Sequence, residues 1–558
     1  MRVRPFLVAV TALRATSVAV VLTVCAAPRG AAQTPTLDVV ELTAAQVQAD
    51  YAAGRYTAVQ LTRAFLDRIA RYEDHYNAFI SMNPDALATA QALDREYRET
   101  GFRGPLHGVP VVIKDNMDLG GMVTTAGFAG FSSATGGIDM IPEGDAAVVA
   151  RLRRAGAIIL GKTNMPDFAG NGTHTKSTVA GVTLNPYALD RVPGGSSGGT
   201  ATAVNASFSV LGLGTETGGS LQNPASAQAL VAVKPTFGLT PLQGVVPIDA
   251  TYRDVVGPLA RTVRDAALTL DVIAGPTSAD LATYAAVGHI PEEGYTAGLS
   301  ATALAGKRFG LVGLGWRTQF LPLAPETEAA YRRAVEVLES RGAEVVEDPF
   351  RDTPWVELYD SRPRRSTAGA HDMLVYLMGL GEGAAFHSVE EWEALTGRSM
   401  RGGRNGNPAT PSATEDGDAF QAWRLEIRAL FRQVLADNRL DGLFFPQAGA
   451  PITRLVEDPA RPDYTPNNHP EIPSNIVNDV GLPVVTVPFD YYRDGTPFVV
   501  AFIGDLWTEP QLLGYAYDFE QATRARRAPT LVPRPDPRQG SGHEADAHPR
   551  RRRSAGPG

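Results

Sequence analysis

Cysteine is nearly missing from this chain: one residue in 558, Cys25, which lies inside a segment with the marks of a cleaved export leader. Loss of that leader leaves no thiol, which excludes disulfides, zinc-thiolate sites and cysteine nucleophiles from the mature chain. Stability must then come from packing, for which a hydrophobic content of 44% is ample. Long apolar runs are missing too. The run Ser17 to Val24 is too short for a bilayer span, Arg14 interrupts its approach, and no later stretch replaces it, so no stable membrane insertion is expected. Histidine is sparse, at nine residues without a visible cluster, so the sequence offers no metal site and calls for no cofactor. Excess positive charge is absent as well. Basic residues number 51 against 60 acidic, a net of −9, and without four leader arginines 47 face 60, a net of −13. That balance disfavours nucleic acid as a partner.

What is present at the N-terminus defines the leader. Residues 1 to 32 carry Arg2, Arg4, Arg14 and Arg29, no acidic residue, and small residues near Ala31 and Ala32. This pattern predicts a signal peptide, a mature chain starting near Gln33, and a secreted or periplasmic location. Cys25 follows Leu22, Thr23 and the bulky Val24, a poor lipoprotein signal. At the other end, Arg550 to Arg553 sit in a Pro/Gly/Ser/His-rich stretch, and residues 534 to 558 read as a disordered, solvated tail.

Between the termini, strand and helix patterns alternate. Leu61, Phe65 and Ile69 recur at helical spacing, which predicts an amphipathic helix over Ala58 to Tyr72. Val109 to Ile113 reads as a buried strand, Asp145 to Ala155 as a helix, and Ala157 to Leu160 as another buried strand. The alternation predicts an α/β fold. No internal repeat or interdomain linker stands out, so residues 33 to 533 are expected to form one large domain with helical insertions between about 320 and 430.

The most informative stretch is Pro193 to Pro224, where the Gly/Ser loops GGSSGG (194 to 199) and TGGS (217 to 220) flank a small-residue segment. A helix over Thr200 to Ala206 followed by a strand over Phe208 to Gly214 would climb and return, leaving both loops at one sheet edge. Lys114 directly follows the strand ending at Ile113. If that strand runs parallel in the same sheet, Lys114 emerges at the same carboxyl edge, where open α/β sheets place ligands.

HGVPVVIKDN (107 to 116), GKTNM (161 to 165), PGGSSGG (193 to 199) and GTETGGS (214 to 220) occur in this order and resemble the amidase signature hydrolases. The resemblance extends through VAVKPTFGLTP (231 to 241), GPLARTVRDAA (257 to 267) and GLPVVTVPF (481 to 489), covering roughly 38 to 525. It implies a single domain with a central mixed, twisted β-sheet surrounded by helices. It also implies an amidohydrolase with a Ser-cisSer-Lys triad: Ser220 as nucleophile, Ser196 as proton relay and Lys114 as base, with the peptide bond before Ser196 cis. A serine hydroxyl needs a base to take its proton during attack. Lys114 can serve only if burial lowers its pKa from about 10.4, and Asp115 is therefore expected to turn away from it. Backbone N–H groups at Thr217, Gly218, Gly219 and Ser220 are candidates for an oxyanion hole, where the glycines leave the approach unobstructed.

Alternatives remain at this stage. GGSSGG also fits a G-x-S-x-G elbow centred on Ser196 or Ser197, which would make the chain an α/β-hydrolase esterase needing His469 as its base, although Asn185 to Pro193 do not read as the required strand. A non-catalytic binder, or a protein like the amidase component of glutaminyl-tRNA amidotransferase, shares these motifs; the leader argues against the tRNA role, and the triad is intact. His107 and His174 read as structural. Departures from the usual DTGGSIR are Glu216 and Gln222, followed by Asn223, which remove the charged pair around the nucleophile; Asp167 stands where many members have glutamate. The expected substrate is a small amide or carbamate, whether aryl amide, amidated peptide or carbamate, handled by a monomer or homodimer. Substrate-contacting candidates are Phe168, Ala169 and Gly170, while Tyr359, Tyr376, Leu377, Met378, Phe386 and Trp392 read as either pocket or core.

Overall fold

Local chemistry sets the first long element. Thr57 accepts the backbone N–H of Gln60 and the Gln60 side chain accepts that of Thr57, a capping box that starts the helix Ala58–Tyr76. Leu61, Phe65 and Ile69 are buried along it, as their spacing predicts, and Asn77 ends it in the left-handed region at φ 51°. The computed structural model describes residues 37–316, 321–363, 368–400, 415–456 and 471–533. The expected leader, the C-terminal tail and His469 lie outside the described residues.

Thirteen strands occur among the described residues: β1 (Phe79–Met82), β2 (Pro110–Lys114), β3 (Ile158–Thr163), β4 (Lys176–Ser177), β5 (Gly181–Val182), β6 (Leu211–Glu216), β7 (Val231–Lys234), β8 (Val255–Ala260), β9 (Arg308–Leu311), β10 (Glu344–Val346), β11 (Gly442–Pro446), β12 (Val484–Tyr491) and β13 (Pro497–Ile503). Eleven form one mixed sheet in the order β1-β3-β2-β6-β8-β7-β12-β13-β11-β9-β10, and β4 and β5 make a small separate hairpin. β2 runs parallel to both β3 and β6, whereas β8 pairs antiparallel to β6 and β7. Helices flank this sheet, as expected. β2, β3 and β6 are buried at every residue, the pattern of strands covered on both faces.

The connection that carries both serine loops differs in detail from its sequence reading. The helix spans Gly198–Asn205, starting two residues early, and the strand is Leu211–Glu216 rather than Phe208 to Gly214. The early start depends on glycine: a Cβ on Gly199 would sit 2.3 Å from the Asn164 carbonyl, so only glycine lets the helix come this close to the end of β3. The late strand has its cause in Arg261, which is buried and donates Nη1 to the carbonyls of Val204 (2.6 Å) and Ser209 (2.9 Å), holding the intervening residues out of the ladder. Ladder pairing begins at Leu211 and aligns Ile113 with Leu213, so the end of β2 lies level with the Gly214–Thr215 step of β6.

Two apolar clusters occupy different places. One gathers Trp316, Phe350, Trp355, Phe431 and Phe445 with the sheet residues Leu443, Val484 and Ala501. The other joins Phe131, Met165 and Phe168 to Met373, Tyr376, Leu377, Phe386 and Trp392, on the helices Ala368–Met378 and Val389–Thr396 and the turn between them. The region from 320 to 430 therefore supplies both a helical cover near Phe168 and the edge strand β10. Among the described residues, no helix is long and apolar enough to cross a membrane.

Candidate active site

Lys114 is the last residue of β2 and fully buried. Its ammonium Nζ donates to Ser196 Oγ (2.7 Å) and to Thr215 Oγ1 (2.9 Å), and Asn116 Nδ2 donates to the same threonine oxygen (3.0 Å). Burial lowers the Lys114 pKa to about 7, against the opposing pull of the Asp254 and Glu216 carboxylates. Asp115 faces away, as expected. Its carboxylate accepts the Thr125 backbone N–H (3.0 Å) and pairs with Lys162 Nζ at 3.3 Å.

The two adjacent serines of GGSSGG are thereby separated in role. Ser196, which follows a cis peptide bond from Gly195, faces Lys114. Ser197 turns toward β6, its Oγ donating to the Thr215 carbonyl (3.1 Å) and accepting the Thr215 N–H (3.3 Å), and its own N–H donates to the Ser220 carbonyl (3.3 Å). That last bond ties the two serine loops together through the backbone. Ser196 and Ser220 are not hydrogen-bonded to each other. Asn185 to Pro193, which lead into the loop, form no strand, so the elbow required by the esterase alternative is not built.

Around Ser220 the chain makes a tight turn. Gly219 has φ 107°, a region closed to other residues, and a Cβ there would lie 2.4 Å from Glu471 Oε2. The N–H groups of Thr217, Gly218, Gly219 and Ser220 donate to no acceptor among the described residues. Thr217 donates its hydroxyl to Asp254, whose other oxygen accepts the N–H groups of Ile248 (2.8 Å) and Asp249 (2.9 Å). The missing charged pair is replaced by a neutral-to-charged one. Glu216 accepts the N–H groups of Leu221 (2.8 Å) and Gln222 (3.1 Å) and the Gln222 side-chain amide (2.5 Å), so the turn is capped from within the strand that precedes it. Asn223 donates to the carbonyl of Gly172 (3.0 Å) and to Glu471.

The segment after β3 forms one wall of a cavity of about 760 Å³. Phe168 and Ala169 both adopt left-handed backbone, at φ 51° and 56°. This turn sets the Phe168 ring 4.9 Å from Phe128, which lies 5.7 Å from Trp392. Phe168 and Gly170 line the cavity with Phe128, Gly130, Ile248 and Trp392; Ala169 instead packs against the neighbouring core. Gly172, two residues on, accepts the N–H of Gly195 at 2.9 Å, so the cavity wall is hydrogen-bonded to the loop that carries Ser196. Of the six aromatic-stretch candidates, Trp392 alone lines this cavity. Tyr376, Leu377 and Phe386 are core beside it, Met378 is exposed, and Tyr359 packs on the other cluster with its hydroxyl donating to Asp479 (3.0 Å). Phe128, Ile248 and Arg398 also line the cavity, and in the sequence only the GFAGF run around the first marks any of them.

The remaining candidates are structural. His107 Nδ1 accepts the Arg103 N–H (3.0 Å), and His174 Nε2 lies 3.2 Å from the Leu455 carbonyl. Asp167 accepts the N–H (2.8 Å) and hydroxyl (2.9 Å) of Thr178, fixing the cavity wall to the β4 segment, and burial raises its pKa.

Comparison with known proteins agrees with this geometry. Residues 60–513 match the family Amidase. A glutamyl-tRNA(Gln) amidotransferase component of Chromohalobacter salexigens is 34% identical over 497 residues, covering 86% of this chain and 96% of that protein. The solved peptide amidase of Stenotrophomonas maltophilia superimposes with a TM-score of 0.71 at 34% identity, over 88% of this chain and 99% of its own. An amidase family protein from Bacillus anthracis gives 0.73 at 27% identity, over 88% and 93%. Four ordered motifs, a buried lysine against a serine loop and a family match over most of the sequence lead to one assignment: the chain belongs to the amidase family and is a hydrolase of amide C–N bonds.

Proposed function

We propose that Ser220 attacks the amide carbonyl while its proton passes to Ser196 and from Ser196 to neutral Lys114. The observation that carries this reading is the 2.7 Å contact between Lys114 Nζ and Ser196 Oγ in a fully buried setting that brings the lysine pKa to about 7. A lysine at that value is half neutral near pH 7, and in the neutral form the Ser196 hydroxyl donates to the amine. The Ser220 to Ser196 contact closes when substrate binds, since catalytic hydrogen bonds of unliganded enzymes tighten in the complex. The N–H groups of Thr217 to Ser220 receive the oxyanion. Collapse of the tetrahedral intermediate breaks the C–N bond as Ser196 gives the leaving nitrogen a proton that Lys114 replaces. Water then attacks the Ser220 ester, its proton passing through Ser196 to Lys114 and returning by the same route to the Ser220 oxygen as the C–O bond breaks and the acid is released.

The aromatic cavity favours an amide with a bulky apolar part, which makes aryl or aralkyl amides and amidated peptides the substrate class; likeness to a peptide amidase supports the second. A fluorophosphonate should label Ser220, and Ser220→Ala, Ser196→Ala and Lys114→Ala should each lose turnover on a panel of aliphatic amides, anilides, peptide amides and carbamates. Undiminished turnover by Ser220→Ala sinks the mechanism. We also propose that residues 1 to 32 direct export and are removed near Gln33, that residues 33 to 533 form the enzyme domain, and that it acts as a monomer or homodimer. The basic, acid-free leader composition supports the first of these, and N-terminal sequencing of the protein from culture supernatant or periplasm tests it.

A further inference from the structure

The cavity beside Phe168 has apolar walls but two charged residues on its lining, Asp167 and Arg398, and they are not equivalent. Both oxygens of Asp167 are taken up by the backbone N–H and hydroxyl of Thr178, so its carboxylate is tied to the wall. Arg398 is exposed at the rim and forms no ion pair with any described residue. Its position is nevertheless built. The helix Val389–Thr396 ends at Gly397 with φ 66°, Thr396 Oγ1 accepts the Arg398 N–H (3.3 Å), and Met400, buried in the cluster that holds Phe168 and Trp392, anchors the far side. The nearest acid on that helix, Glu393, accepts the Met400 N–H (2.7 Å) and the Ser399 hydroxyl (3.1 Å), an arrangement that fixes the turn carrying Arg398.

A guanidinium that pairs with no described carboxylate, at the mouth of an apolar cavity, is suited to a planar anion, which it binds by paired N–H donors. We infer that the cavity takes the apolar part of the amide substrate with a carboxylate on that part directed at Arg398. Resting on the Ser220 reaction proposed above, this narrows the substrate class to amides with an anionic group beyond the apolar portion, such as an aromatic acid amide or a peptide with an acidic side chain. Amides that place an ammonium group there should be rejected.

Three matched amides test it: 3-phenylpropanamide and its 4-carboxy and 4-aminomethyl derivatives. Wild type should turn over the carboxylated amide with the lowest KM, about tenfold or more below the cationic one, one such factor being worth about 1.4 kcal/mol. Arg398→Glu should invert that order and Arg398→Gln should flatten it, both read as the ratio of KM between the carboxylated and the cationic amide. Equal effects on all three amides, or no advantage of the carboxylated one in wild type, overturn the Arg398 assignment while leaving the Ser220 reaction standing. Absence of Ser220-dependent turnover of any amide defeats that reaction instead. In that event calorimetric binding of the three amides to Ser220→Ala reads the charge preference without chemistry, and equal affinities overturn it.

Discussion

The Thr217 hydroxyl donates to Asp254, a buried carboxylate that with its other oxygen holds the backbone N–H groups of Ile248 and Asp249. One side chain thus joins the turn before Ser220 to a wall of the aromatic cavity, and its charge also opposes the lowering of the Lys114 pKa. Asp254→Asn retains the shape but removes the anion. It should lower kcat roughly tenfold through displacement of Thr217, a smaller loss than the roughly 10²–10³ for deleting an oxyanion donor outright. The pH profile gives a sharper sign. Activity needs neutral Lys114, so kcat/KM in wild type should rise with pH through an inflection near 7. Without the Asp254 charge the ammonium is less favoured, and the inflection should move to lower pH. An unmoved or raised inflection contradicts the electrostatic role.

Burial of Lys114 has a consequence for stability. Its pKa falls from 10.5 to about 7 in the folded chain, so between these values the unfolded chain binds more protons and stability rises with pH. The penalty is complete below about pH 7 and vanishes as pH approaches the unfolded value of about 10.4. Lys114→Met removes the penalty along with the catalytic base, while losing the bonds to Ser196 and Thr215. The inactive variant should be more stable than wild type by about 2 kcal/mol at pH 7, and less stable by about 1 kcal/mol at pH 10, where only the lost hydrogen bonds count. Denaturant titrations at both pH values check this, and a variant less stable at pH 7 refutes it.

The Gln222 side-chain amide completes the coordination of Glu216. Gln222→Met would leave that buried carboxylate with two backbone donors and no side-chain donor. Because an under-satisfied buried acceptor costs about 1–3 kcal/mol, chemical denaturation should register a loss of that size. Glu216 fixes the N–H groups just after Ser220, so kcat should fall while KM changes little. A loss confined to KM would place the effect elsewhere.

How much of this was legible in the sequence follows from which residues carry local signals. β2 and β3 could be read because strands buried on both faces appear as unbroken apolar runs, as in Pro110–Lys114. Phe208 and Val210 flank Ser209 and read as the start of the next strand, yet Arg261, more than fifty positions away, takes the Val204 and Ser209 carbonyls, and β6 begins at Leu211. Lys114, Ser196 and the Ser220 turn were legible because each lies in its own glycine-rich or strand-end motif. The cavity was not. Phe128, Phe168, Ile248, Trp392 and Arg398 come from separated segments without a shared pattern, and Tyr359 and Trp392, similar in sequence context, end in different clusters.

Phe168 and Trp392 allow the cavity to be tested apart from the chemistry. Both rings pack on Phe128, and neither is hydrogen-bonded to the serine loops through its side chain. Trp392 is fully buried and donates Nε1 to the Gly130 carbonyl (3.1 Å), so Trp392→Ala removes packing and strands an acceptor, costing about 3–5 kcal/mol. Trp392→Phe keeps most of the volume and is the cleaner probe. If the cavity receives the apolar part of the substrate, Phe168→Leu and Trp392→Phe should raise KM about three- to tenfold for a phenyl-bearing amide, because a missing contact in an apolar pocket is worth about 1 kcal/mol or somewhat more. Propanamide, too small to reach both rings, should show the same KM in variants and wild type. A parallel rise for both amides would mean that the substitutions disturb the turn at Phe168 and Ala169, and through Gly172 the Ser196 loop, in which case kcat should fall as well. Selective loss of the phenyl-bearing amide alone identifies the cavity as the place where substrates are told apart.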